Sequence, residues 1–308
     1  MVDRNTFLTT LYVMVDDFCK SRLPAETRTG PKPSLSRSEV VTLALFGQWY
    51  RFRSQRDFYR MAEEKLRSAF PTLPHRTQFN RLARRHREAI VAFSLYLVEL
   101  MRAREVAYEI LDTTGVPVRN VKRRGNGWLG GDANIGWCTR LGWYYGFRLL
   151  ISVTPSGVIT GFGFAEGSAK EQPMTETMLA LRNQVEPAIP SVGKPALGYY
   201  VADQGFAGDK THKQWRILYG GDVISEPQIN SKAVWPKKLR RWLHSIRQLV
   251  ETVYSWQMEF FRLDKIRPHD ITGFHTALAA KVALHNFCIW LNERAGRPLL
   301  AFADLLGW

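Results

Sequence analysis

The 308-residue sequence lacks most of what would tie it to a membrane or to an oxidising compartment. It has three cysteines, Cys19, Cys138 and Cys288, far apart and without a CxxC spacing. Neither a disulfide framework nor a cysteine zinc site is therefore expected, and a reducing compartment fits. No run of about 20 uninterrupted apolar residues occurs, as a spanning helix would need. The nearest approach, Thr276 to Leu291, is broken by Lys281, His285 and Asn286. The apolar residues from Phe7 to Val15 run into Asp16 and Asp17 with no small-residue cleavage site, which argues against a signal peptide. A cytoplasmic protein without a membrane partner is expected. Internal repeats and low-complexity segments are also absent.

Negative charge is scarce. Asp and Glu number 28 against 43 Lys and Arg, a net charge of +15, while the hydrophobic share of 45% is enough for an ordinary core. An excess of this size points to a polyanionic partner: nucleic acid or an anionic membrane surface.

The texture changes near Arg104. Before it, helical patterns alternate with Pro-containing loops. An amphipathic stretch covers Thr6 to Cys19, and Ser36-Arg37-Ser38-Glu39 reads as a capping box ahead of Val40, Val41, Leu43, Ala44 and Phe46. Ser54 with Asp57 announces another helix through Phe58, Met61 and Leu66, ended by Pro71 and Pro74. A third begins near Thr77, with Phe79, Leu82 and Ala83 on its inner side. Its outer side carries Arg76, Gln78, Asn80, Arg81, Arg84, Arg85 and Arg87. Arg, Gln and Asn can make paired contacts to purine edges, so residues 1–103 read as a helical, helix-turn-helix-like DNA-binding domain. A solvated charged face on a structural helix is the plainer alternative.

From Arg104 to the end, residues 104–308, strand and turn signals begin. Val106 to Leu111 suits a buried strand ending at Asp112. Trp143 to Val153 and Val158 to Phe164 flank Pro155-Ser156-Gly157 as a hairpin. A helix from Lys170 to about Val185, a strand from Tyr199 to Ala202 and a helix from Asp209 to Leu218 follow. Next come a short strand at Val223 to Ile224 and a long helix from Lys237 to Met258. An α/β fold results, a mixed sheet flanked by helices. Trp137, Trp143 and Tyr144 are expected in strand core, and Ile271 to Leu291 as a closing amphipathic helix.

Three carboxylates stand out. Asp112 lies in Leu111-Asp112-Thr113-Thr114-Gly115 and Asp203 in Val201-Ala202-Asp203-Gln204-Gly205, both at strand ends, where α/β proteins place functional groups. Either could instead be ordinary Asp-Gly turn chemistry. Glu251 sits in the long helix with His244 and Arg247 at spacings of three and four, and could be a surface i,i+4 pair with Arg247. Taken together, two strand-end aspartates and a helical glutamate would suit a pair of Mg²⁺ ions engaged in phosphoryl chemistry.

The segments resemble those of the DDE transposases of bacterial insertion sequences. That family's second aspartate opens an Asp-Lys-Gly-Tyr type of turn, here Asp203-Gln204-Gly205-Phe206. Its glutamate helix follows the pattern Tyr, two residues, Arg, three residues, Glu, six residues, Lys, here His244, Arg247, Glu251 and Met258. Its glycine-aromatic-basic strand is similar to Gly146-Phe147-Arg148. The resemblance implies an RNase H-like catalytic domain with Asp112, Asp203 and Glu251 as catalytic metal ligands. The metal would be Mg²⁺ in a two-metal site, for which Mn²⁺ can substitute. It also implies DNA partners, both element ends and target, on which paired ends admit a homodimer. The departures at Gln204, Phe206, His244 and Met258 bear on auxiliary DNA contacts.

Basic residues flank the proposed site. Arg123 and Arg124 follow Asp112 in a Gly-containing loop, and Lys237, Lys238 and Arg241 lead into the glutamate helix. These, with Arg148, His244 and Arg247, are the expected DNA contacts of the catalytic part. A stand-alone RNase H-like nuclease and a DNA-binding regulator without catalysis are the alternatives.

Overall fold

The computed structural model describes residues 1–26, 30, 33–122, 129, 131–182, 198–227, 231–232 and 234–307. After a two-residue strand, β1 (Val2–Asp3), come five helices: α1 (Arg4–Arg22), α2 (Arg37–Phe46), α3 (Gln55–Lys65), α4 (Arg76–Arg85) and α5 (Arg87–Leu100). Local chemistry sets their starts. Asp3 accepts amides of Asn5 and Thr6, the Ser36–Glu39 capping box closes in both directions, and Ser54 caps α3. The sequence pattern did not separate α5 from α4. The chain turns at His86, whose side chain is buried.

The strands are β2 (Tyr108–Arg119), β3 (Asn134–Cys138), β4 (Gly142–Val153) and β5 (Ile159–Glu166), then β6 (Gly198–Ala202) and β7 (Gly221–Ser225) after α6 (Glu171–Arg182), with α7 (Asp209–Tyr219) between β6 and β7. They form one mixed sheet in the order β3-β4-β2-β6-β7, with β5 also paired to β4. The first four are antiparallel, and β2, β6 and β7 run parallel. The long helix is α8 (Lys237–Ser255), continued by a π-helical turn, Trp256–Phe260. The last elements are α9 (Ile271–Arg294) and β8 (Leu306–Gly307), which pairs with β1 and ties the two chain ends together.

Helices cover both faces of the sheet. On one, Leu111, Leu150, Tyr200 and Ala202 pack with Met178 and Leu179 of α6 and Trp215 of α7. On the other, Ile110, Phe147, Leu149 and Ile151 belong to a core shared with α8, α9 and the N-terminal helices. That core runs unbroken from residues before 104 to those after, as the Phe7–Phe287 contact at 5.3 Å shows.

Two expectations are corrected here. Helix α9 is not an amphipathic closing helix but is buried on nearly all sides, because it lies between the N-terminal helices and the sheet. Its interior polar groups serve the β4–β5 hairpin. Asn286 accepts from the Ile159 amide at 3.0 Å and donates to the Ile159 carbonyl at 2.9 Å, and His285 meets the Gly157 carbonyl at 2.9 Å. Trp137 and Trp143 are not core either: they stand 52% and 69% exposed, while Tyr144 is buried. Alternation puts Trp143 on the face of β4 that carries Phe147 and Leu149, but the covering helices stop short of it. Among the described residues no helix is long and apolar enough to cross a membrane.

Candidate active site

Strand β2 does not stop at Asp112. It runs on to Arg119 because Thr113, Thr114 and Val116 keep pairing with β4 and the ladder resumes at Arg119 after a bulge at Val118, Asp112 itself standing opposite Ile151. What ends nearby is the parallel ladder with β6, whose last pair is Ile110 with Val201. Two residues beyond that pair on each strand lie Asp112 and Asp203. The register therefore sets the two side chains next to each other, on the face covered by α8.

Their surroundings leave charge uncompensated. Asp112 accepts the Thr113 amide at 2.8 Å. Burial, then the negative charge on Asp203, pushes its carboxyl from the usual 3.8 up to about 7 against the opposing pull of Arg247. Asp203 begins a short 3-10 turn, Gln204–Phe206, and its Oδ1 accepts the Gly205 amide at 2.8 Å. Its turn chemistry is thus real, but it uses one oxygen. The other, Oδ2, lies 3.4 Å from Arg247 Nη2.

Helix α8 spans both aspartates. Arg247, Glu251 and Tyr254 fall four and three residues apart on one stripe. Arg247 reaches Asp203, and the buried Tyr254 hydroxyl donates to the Asp112 carbonyl at 2.6 Å. Glu251 stands between them on that stripe, exposed. Among the described residues no three of His, Cys, Asp and Glu converge closely enough to enclose a metal ion. The donor set nevertheless suits one, because two neighbouring carboxylates, one of them raised by burial and by the other's charge, have only Arg247 as a nearby cation, at 3.4 Å from Asp203.

One acidic neighbour had no signal in the sequence beyond being an acid in the first turn of a helix. Glu171, opening α6, accepts from Thr113 Oγ1 at 3.0 Å and from Arg148 Nη1 at 2.9 Å. Its other oxygen lies against Gly205, where an added Cβ would stand 2.2 Å from it, so a side chain at that position would collide with the site's edge. Arg148 is thereby held between Glu171 and the Trp137 carbonyl, 2.9 Å away. By alternation it sits on the sheet face opposite Asp112.

The other expected DNA contacts are spread out. Lys237, Lys238, Arg241 and His244 are exposed along the first half of α8. Arg123 and Arg124 lie outside the described residues. On α4, Gln78 is exposed, whereas Arg76, Asn80 and Arg84 are half-buried, and Arg84 is paired with Asp270 at 2.8 Å. Met258, where the family pattern has Lys, is packed into the core.

The family described as Transposase DDE domain matches residues 110–287, more than half of the chain. The chain belongs to that family. The matched span opens two residues before Asp112 and closes within α9, so it holds both aspartates and α8. The mixed sheet with helices on both faces is the RNase H-like arrangement such a domain has. No curated protein and no solved structure matches the chain. DDE transposases act on DNA and normally use a divalent metal.

Proposed function

We propose that the protein is an insertion-sequence transposase that hydrolyses a phosphodiester at the element's ends and joins the freed 3′-hydroxyl to target DNA. The observation that carries this reading is the pairing of Asp112 with Asp203 at the end of the parallel ladder, beneath the α8 stripe that bears Glu251. Asp112, Asp203 and Glu251 would hold Mg²⁺, or Mn²⁺ in its place. The metal would supply charge stabilisation at the reacting phosphate, so that no Ser or Cys nucleophile is required. The chain's own part is positional. Tyr254 fixes the β2 backbone at Asp112, the Gly205 amide orients Asp203, and Arg247 balances charge until the site is filled.

DNA would lie along the exposed basic side of α8, with Lys237, Lys238, Arg241 and His244 against phosphates, and with Arg123 and Arg124 contributing from the sequence that follows β2. Residues 1–103 would supply recognition of the element's ends through α4. Because their core is continuous with the sheet's, this division is one of function, and substitutions test it better than truncation. A homodimer on paired ends is part of the same proposal, as is a cytoplasmic location.

The test is strand cleavage of element-end DNA in Mg²⁺. Asp112→Asn, Asp203→Asn and Glu251→Gln should each lower the rate by several orders of magnitude while the protein still binds DNA. Wild-type cleavage in any one of them would remove that residue from the ligand set. Cleavage without joining would favour a stand-alone nuclease, and binding without cleavage a regulator.

A further inference from the structure

A groove of about 470 Å³ lies between α2–α4 and α9, away from the paired aspartates. Its floor is apolar, made by Leu43, Ala44, Phe52, Phe58 and Phe79, and its walls carry eight Lys and Arg side chains and no Asp or Glu. Two of the eight meet acids standing outside the groove: Arg84 with Asp270, and Lys265 with Asp264. Arg53, Arg56 and Arg76 line it and enter no ion pair among the described residues; Arg53 and Arg56 are exposed and Arg76 half-buried.

The deep end is the more telling. Lys281 is only 5% exposed and donates to the Phe261 carbonyl. Its neighbour in space, Arg262, takes a left-handed backbone with φ 57°, a conformation rare for a residue with a side chain. The Nε of Arg262 is buried without a hydrogen-bond partner among the described residues, and so is Oδ1 of Asn80, which lines the same groove. Burial and the Arg262 charge bring Lys281 down to about 7, so positive charge is confined here at a cost. Buried donors and acceptors are normally satisfied. A cavity that leaves two of them open under a ring of cations is shaped for an anion with polar and flat apolar parts.

We propose that this groove binds a single phosphate-bearing nucleotide, its phosphate on the arginine rim and its base against the phenylalanine floor, supplied by an unpaired end of a DNA strand. A duplex does not fit a space of this size, whereas one nucleotide does. The geometry also gives α4 a different use. Arg76, Asn80 and Arg84 turn into the groove, where they would hold a frayed strand instead of reading base edges in a major groove. The proposal rests on the DNA-processing reading only for the source of the nucleotide.

The test uses the full chain and fluorescence anisotropy with short DNA carrying either a two-nucleotide single-stranded overhang or flush ends. Wild-type protein should prefer the overhang by about ten-fold. Arg76→Gln and Arg262→Gln should each remove that preference and weaken overhang binding by about ten-fold, with Arg53→Gln on the exposed rim as a variant that keeps the core intact. Asp112→Asn should leave the preference unchanged. A protein inactive in cleavage would thus still show the groove, and a protein active in cleavage could still fail here. Equal affinity for flush and overhanging DNA, or wild-type preference in both Arg53→Gln and Arg76→Gln, would overturn the proposal. Competition at equal concentration separates the sources. If a free deoxynucleoside monophosphate displaces the overhang as well as an overhang strand does, the ligand is a free nucleotide. If inorganic phosphate does so, the base contributes nothing and the site is only an anion site.

Discussion

Two carboxylates three residues apart on β2, Glu109 and Asp112, are treated in opposite ways by the same strand. Glu109 is almost wholly buried and surrounded by partners. Arg182 meets it at 3.1 Å and Arg104 at 2.9 Å, while Ser152 and Thr160 donate their hydroxyls. Burial alone would raise it, but the two guanidiniums and the hydroxyls hold it at about 2. Asp112, nearer the end of the ladder, has Asp203 beside it and only the shared reach of Arg247, and it rises to about 7. The first end is locked by matched charge and the second is left short of positive charge. A structural ion pair is complete in itself, whereas a candidate metal site is completed from outside.

The lock should be the costlier end to break. Glu109→Ala leaves Arg182, which is 0% exposed, without its carboxylate, and stranding a buried charge costs about 3–5 kcal/mol. Urea denaturation should show a loss of that order. Adding Arg182→Met should recover most of it, since the remaining pocket is apolar and hydroxyl-lined. If the single variant is as stable as wild type, the network is not a lock and the contrast with Asp112 fails.

The open end should behave in the reverse sense with pH. Glu109, lowered from the usual 4.5 to about 2, contributes stability that is present above about 4.5 and is lost as the pH falls through that value towards 2. Asp112, raised from 3.8 to about 7, binds its proton more readily folded than unfolded. Its effect is to stabilise the fold as the pH falls from about 7 towards 4. Without divalent ions, Asp112→Asn should therefore be more stable than wild type at pH 8, by up to about 4 kcal/mol if the whole shift is relieved, and lose that advantage near pH 4. Parallel melting curves from pH 4 to 8 would contradict the assignment of a raised carboxyl to Asp112.

Most of the frame was legible in the sequence because it rests on short-range signals. The capping box at Ser36, the hairpin around Pro155-Ser156-Gly157 and the apolar runs before Asp112 and Asp203 each announce themselves within a few residues. What was not legible depends on contacts distant in sequence. Burial of α9 on all sides comes from helices some 200 residues earlier, and nothing local distinguishes it from an amphipathic helix with a few polar residues. Trp137 and Trp143 alternate as core residues do, yet the helices that would cover them end elsewhere. Glu171 looks like any acid at a helix start until the fold brings Thr113, Arg148 and Gly205 around it. Nothing local in α4 tells which part of its charged face is covered: Gln78, Arg81 and Arg85 stay exposed, whereas Arg76, Asn80 and Arg84 are half-buried, Arg84 against Asp270 at the start of α9.

The smallest effect sharpens the comparison most. Arg182 and Arg247 are both guanidiniums on aspartate or glutamate, but Arg182 is sealed in while Arg247 is 26% exposed and its Asp203 partner 28%. A pair with that much water around it is worth well under about 1 kcal/mol. Arg247→Gln should thus leave the urea midpoint almost unchanged, unlike Arg182→Met, which would strand Glu109. It should still act on its neighbours. Removing the cation that pulls Asp112 down lets burial and Asp203 raise the carboxyl further, so the pH window over which Asp112 stabilises the fold should move upward. Added Mg²⁺ should then raise the melting temperature of Arg247→Gln by at least as much as that of wild type, because the ion meets the paired aspartates without a competing guanidinium. A large loss of stability in this variant, or an unmoved pH window, would mean that Arg247 belongs to the locked end and not to the open one.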